Sequence, residues 1–140
     1  MTAIVIPVKH LSLAKGRLRN VLGPDQRRGL VLAMLTDLLT VLQNSDVDDI
    51  WLVTGDKDVA LAIDGFDVRI LDEDGAVGYN HAVARGLCAI AAGLPVAILP
   101  ADIPLVTHEE IARLTFPNDA SNPIVRIAPD RHGRGTNGLY

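Results

Sequence analysis

Apolar and polar positions along the chain switch repeatedly between two periods. Residues 3–8 form an unbroken apolar run rich in β-branched side chains, with Pro7 near its end. Such a run reads as a strand buried on both faces. Residues 24–43 instead follow a helical period. Leu30, Val31, Met34, Leu35, Leu38, Val41 and Leu42 build a wide apolar face, while Arg27, Arg28, Thr36, Asp37, Thr40 and Gln43 lie mostly off it. Pro24 suits a first helical turn and Asp25 complements the helix dipole. Further strands are predicted at 50–54, 68–71, 96–99 and 124–128, the last within an apolar run that begins at Pro123. Helices are predicted between them, over 56–63, 78–92 and 107–114. Gly93 and Pro95 end the second of these, and Thr107 caps the third, with Glu109 and Glu110 in its first turn.

Strands that alternate with helices imply an α/β domain of three layers, a mainly parallel sheet with helices on both faces. The 140 residues suit one such domain. Ligands of these sheets sit beyond the carboxyl ends of the strands, so the loops that matter are 9–19, 54–58, 72–80, 101–105 and 129–137. Composition adds exclusions. With 49% hydrophobic and 21% charged residues the chain is not a disordered one. A net charge of −4 argues against a nucleic-acid polymer as partner, although a local basic loop suffices for a phosphate group. A single cysteine, Cys88, excludes an internal disulfide or a cysteine zinc cage and reads as a small apolar residue on a helix. The N-terminus starts directly on the strand-like AIVIPV, so no signal peptide is expected, and no apolar run approaches a membrane span. A cytoplasmic protein with no membrane partner is the expectation.

Candidate chemistry collects in the loops. KHLSLAKGRLRN crowds Lys9, Lys15, Arg17 and Arg19 after the first strand. These cations suit a triphosphate and the charge on a pentavalent phosphorus; a solvated basic stretch is an equally weighted alternative. The loop has neither Walker A nor G-x-G-x-x-G spacing. In LPADIPLV, Asp102 stands at the carboxyl end of a central strand, placed to bind Mg²⁺ carrying phosphate oxygens or simply to make a turn. DEDGAVGYN offers Gly75, Gly78 and Asn80 before a helix, where N–H groups could face a phosphate or Asn80 a nucleobase edge. Its Asp72, Glu73 and Asp74 read as a solvated acidic turn. His10, His81, His108 and His132 are isolated, and no G-x-S-x-G elbow exists. The tail APDRHGRGTNGLY packs Arg131, Gly133, Arg134, Gly135, Thr136 and Asn137 together, a loop suited to a small anionic molecule.

IPVKHLSLAKGRL, LPADIPLV and APDRHGRGTNGL, in this order and spacing, resemble the CofC/FbiD family of guanylyltransferases of coenzyme F-420 biosynthesis. VTGD at Val53 and G-x-N-x-A-V at Gly78 fit as well, so the resemblance covers essentially the whole chain. It implies a glycosyltransferase-A-like nucleotidyltransferase fold, Mg²⁺ as cofactor, and two substrates. These are GTP and a small phosphorylated carboxylic acid: 2-phospho-L-lactate, phosphoenolpyruvate or 3-phosphoglycerate. It also implies roles: Asp102 as metal ligand and, with Lys15, catalytic; Lys9, Lys15, Arg17 and Asn80 as nucleotide-binding; Thr136, with Asn137 and Arg131, as acceptor-binding. Family members are longer. Beyond the threonine motif they carry a Gly/Ser substrate segment and two further metal-binding aspartates, so the C-terminal part of the fold is expected to be lacking here. Exposed apolar surface, and a homodimer as one form of association, follow from that expectation. A molybdopterin or sugar-phosphate nucleotidyltransferase, or a non-catalytic nucleotide-binding remnant, are the alternative readings.

Overall fold

A computed structural model describes residues 1–73, 75, 78–116 and 124–140. Asp74 of the acidic turn and Pro123, where the last apolar run begins, lie outside the described residues. The strands are β1 (Ala3–Pro7), β2 (Asp49–Val53), β3 (Arg69–Leu71), β4 (Val96–Ile98), β5 (Ile127–Pro129) and β6 (Thr136–Leu139). The helices are α1 (Pro24–Gln43), α2 (Lys57–Ala62), α3 (Tyr79–Ala89) and α4 (His108–Thr115). They assemble one sheet in the order β3-β2-β1-β4-β6-β5. β1 runs parallel to β2 and β4, and β2 parallel to β3, whereas β6 is antiparallel to both β4 and β5.

The alternation of side chains along β1 sorts the core into two layers. Ile4 and Ile6 face one side, where Leu52, the α1 residues Leu35, Leu38, Leu39 and Leu42, Val59 of α2 and Ile111 of α4 complete the main core. Each fully buried leucine contributes about 1.5–3 kcal/mol relative to exposure. Val5 faces the other side, with Val53 and Ala82 of α3. There Gly86 lets α3 sit directly on the sheet: a Cβ at that position would lie 2.5 Å from Val5 Cγ1. Local signals set the helix starts. Pro24 opens α1 while the Gln26 side chain accepts the Gly23 N–H at 2.9 Å. Thr107 and Glu110 exchange backbone-to-side-chain bonds at the head of α4.

Three expectations need correction. α3 ends at Ala89, short of residue 92, because Ile90 already has extended backbone angles (φ −88°, ψ 141°). The fifth strand starts at Ile127 and not at 124, although Arg126 and Tyr140 still exchange backbone bonds of 2.7 and 2.9 Å. Thr136 and Asn137 belong to β6 and not to a loop. Cys88 does lie on α3, but on its exposed side. Exposed apolar surface is present as expected. Leu105 is 88% exposed, and with Ile103, Leu114 and Ile127 it lines an open groove of about 850 Å³ beside β5. Among the described residues no helix is long and apolar enough to cross a membrane.

Candidate active site

Strand direction brings the candidate residues to one edge. The parallel strands β1 to β4 deliver the segments that follow them to their common carboxyl edge. β6, being antiparallel to β4, begins at that edge, and β5, antiparallel to β6, ends there. The one register pair between β4 and β6, Ile98 with Leu139, puts Thr136 alongside the chain that leads from β4 to Asp102. The basic loop, Gly55, Glu73, Asp102, the 130–135 turn and Thr136 therefore share one rim.

At its centre Lys15 Nζ donates to Asp102 Oδ2 at 2.5 Å, across 87 residues of sequence. The lysine side chain is 27% exposed and the aspartate 51%. Lys15 stands where the basic loop passes from one 3₁₀ turn (Leu11–Leu13) to a second (Gly16–Leu18). Its backbone is left-handed (φ 52°, ψ 38°), and no other non-glycine residue among those described has a positive φ. That conformation costs about 1–3 kcal/mol and marks a position constrained by its surroundings. Tyr79, at the first position of α3, lies close enough to Asp102 to feel its charge. Burial first, and the carboxylate second, push the phenol pKa up. Asn80 follows it in the first turn and is exposed. Lys9 and Arg17 are exposed and form no ion pair among the described residues, so their charges stay open to an anion.

The tail forms a hairpin whose turn is folded by Asp130. Its Oδ1 accepts the N–H groups of His132 (2.9 Å) and Arg134 (3.0 Å). The Arg134 N–H is the main reason this carboxyl stays below the ordinary range; His132, Gly135 and Gly133 add to it. Arg131 Nε donates to His132 Nε2 at 2.9 Å, and Arg131, Arg134, Thr136 and Asn137 are all exposed. Thr136 opens β6 opposite Pro129, and Asn137 faces the apolar groove.

Two features of the rim escape sequence reasoning. Asp56, in VTGD, is a clamp: Oδ2 accepts the Leu11 N–H at 2.8 Å and faces His10 Nδ1 at 3.5 Å, while Oδ1 caps α2 through the Asp58 N–H at 3.0 Å. Burial pushes its carboxyl up, but the N–H groups of Leu11 and Asp58 and the His10 charge outweigh this, and its pKa falls below the usual value. Glu73 is the second. The solvated acidic turn does not hold for it, because Glu73 is only 8% exposed. Asp72 beside it is exposed. As for metal, the described residues hold no group of three or more His, Cys, Asp or Glu at one place. Asp102 supplies a half-exposed hard carboxylate at the centre of the rim, which suits Mg²⁺ when phosphate and water oxygens fill the rest of its octahedron.

This three-layer α/β sandwich is the fold found in nucleotidyl transferases. It is shared with a nucleotidyl transferase from Methanothermobacter thermautotrophicus (TM-score 0.71, 23% identity, 91% of this chain and 61% of that one). It is shared also with a 4-diphosphocytidyl-2C-methyl-D-erythritol synthase from Anaerococcus prevotii (TM-score 0.56, 16% identity, 97% and 63%). Within that class the chain belongs to the guanylyl transferase CofC-like family, whose model matches residues 2–140. It is 37% identical to a phosphoenolpyruvate guanylyltransferase from Conexibacter woesei, over 99% of this chain and 63% of that protein. It is 35% identical to a 2-phospho-L-lactate guanylyltransferase from Methanothermobacter thermautotrophicus, over 99% and 60%. The chain thus spans less than two thirds of the length of these relatives.

Proposed function

We propose that this chain carries the nucleotide half, and the start of the acceptor half, of a Mg²⁺-dependent guanylyltransferase that moves GMP from GTP to a small phosphorylated carboxylic acid. The supporting observation is the convergence of Lys15–Asp102 with the Thr136 hairpin on one rim. Membership of a guanylyltransferase family supports the reading. A cytoplasmic location and a role in coenzyme F-420 biosynthesis are part of the same proposal.

In this reading an oxygen of the acceptor phosphate attacks the α-phosphorus of GTP in line. The bond from that phosphorus to the bridging oxygen breaks, and pyrophosphate leaves with the electron pair. A phosphate oxygen is already a competent nucleophile, so the rim supplies position and charge. Lys9 and Arg17, which form no ion pair among the described residues, hold the triphosphate. Lys15 shifts from Asp102 to the α-phosphate oxygens, where charge grows. Thr136, with Asn137 and Arg131, orients the acceptor, and Asn80 lies on the nucleotide side. Mg²⁺, when bound at Asp102, neutralises phosphate oxygens. The test is pyrophosphate release from GTP with 2-phospho-L-lactate, phosphoenolpyruvate and 3-phosphoglycerate in turn, products being read by mass spectrometry. A guanylylated diphosphate with one acid supports the reading. GTP binding without any product would make this chain a nucleotide-binding module.

A further inference from the structure

Glu73 follows β3 at the rim, nine-tenths buried, yet its carboxylate takes no hydrogen bond and no ion pair among the described residues. A buried, unpaired carboxylate is disfavoured unless something else satisfies it. No side-chain oxygen among the described residues is both sealed from solvent and unpaired, so both Glu73 oxygens keep some access to solvent. Glu73 Oε2 lies beside Gly55, which follows β2. A Cβ there would lie 3.8 Å from Glu73 Oε2 and 3.2 Å from His10 Nε2. Glycine at 55 thus leaves bare backbone where the carboxylate and the imidazole converge. His10 is held by Asp56 through Nδ1, which turns Nε2 towards this point.

We propose that Glu73 is the residue that selects guanine, and that the base edge sits over Gly55 between Glu73 and His10. This deepens the proposed function and rests on it. A carboxylate only accepts hydrogen bonds. Guanine alone among the common bases presents two adjacent donors, N1–H and the 2-amino group, and so can meet both carboxylate oxygens. Adenine and cytosine place a ring-nitrogen acceptor next to their amino group, and uracil flanks its N3–H with two carbonyls. Each would set a lone pair against Glu73, which is rejection as well as lost attraction. The placement fits the length of a nucleotide. In the order β3-β2-β1-β4, Glu73 and Asp102 follow strands three spacings apart. At ~4.8 Å per strand that is roughly 14 Å, enough for a nucleotide to lie with its base at Glu73 and its phosphates at Lys15 and Asp102.

The test measures binding of GTP, ITP, ATP and inorganic tripolyphosphate to the 140-residue chain by calorimetry in the presence of Mg²⁺. Glu73→Gln and Gly55→Ala are compared with the parent, the fold being checked by circular dichroism. ITP lacks the 2-amino group, and tripolyphosphate lacks the base. The parent should favour GTP over ITP and ATP by at least ~10-fold, the size expected of one bidentate base contact. Glu73→Gln should erase the GTP–ITP difference, and both variants should bind tripolyphosphate like the parent. Gly55→Ala keeps the carboxylate but crowds the base, so it serves if Glu73→Gln does not fold. Equal affinity of the parent for GTP and ATP, or discrimination kept in Glu73→Gln, or in a folded Gly55→Ala should that be the only variant available, overturns the assignment and leaves the proposed function standing. A parent that binds none of the four compounds overturns both.

Discussion

Asp102→Asn separates a metal ligand from a turn residue because the two roles leave different thermodynamic traces. In the structure Asp102 pairs with Lys15, and the side chains are 51% and 27% exposed respectively, so the variant gives up this ion pair. A pair so open to water contributes ~0–1 kcal/mol to folding. For a domain of this size that is a fall in Tm of no more than about 5 °C. The effect on a metal–nucleotide complex should be far larger. Replacing a charged hard ligand by a neutral amide removes several kcal/mol where phosphate charge is being neutralised. At about 3 kcal/mol this is a loss of more than ~100-fold in affinity for the Mg²⁺–GTP complex. The assay pairs thermal melts with calorimetric titration of GTP at fixed Mg²⁺, and reads Mn²⁺ occupancy by electron paramagnetic resonance. Lys15→Met is the companion variant: it removes the cation that competes for Asp102, so metal affinity should hold or rise while turnover falls. A Tm loss well beyond 10 °C in Asp102→Asn, with metal and nucleotide binding unchanged, would refute the reasoning and leave Asp102 as a structural turn.

Three further outcomes follow from named contacts. Thr136→Val should raise the acceptor KM about tenfold or more and leave GTP affinity alone, since a lost hydroxyl donor leaves an oxygen unpaired at roughly 1–3 kcal/mol; initial-rate kinetics with each substrate varied would show it, and a rise confined to GTP would move this loop to the nucleotide side. Gly86→Val should destabilise the fold, because even a Cβ there meets Val5 Cγ1 at 2.5 Å; overpacking of this kind costs about 1–3 kcal/mol or more by urea denaturation. Asp56→Asn should lower stability at neutral pH and matter less in acid. The Asp56 carboxyl is held below its ordinary value, so its contribution is complete above the unfolded pKa of about 3.9 and is lost as pH falls through the lower folded value; urea midpoints of parent and variant should begin to converge only below about pH 4 and meet once the folded carboxyl is protonated.

Much of this architecture is written in local pattern. α1 runs from Pro24 to Gln43 as its period and opening proline predict, because a long amphipathic face and an N-terminal proline act within the segment itself. β1 to β4 come close to their expected positions, since a strand buried on both faces must be apolar throughout. Once the strands were parallel, connectivity alone sent the loops carrying Lys15, Asn80 and Asp102 to one rim. What local pattern could not carry was decided by neighbours distant in sequence. TNGL has no apolar alternation; it becomes β6 because β4 and β5 offer backbone partners on either side. Leu39 lies beside the apolar face read from the period, yet it is fully buried because the sheet and α4 enclose more of α1 than one stripe. Lys15 and Asp102 meet across 87 residues, and nothing in either loop names the other. Three acidic residues in a row at 72–74 give no sign of which carboxylate turns inward. The register of β3 beside β2 sets Glu73 against Gly55, and only the folded chain could make that choice.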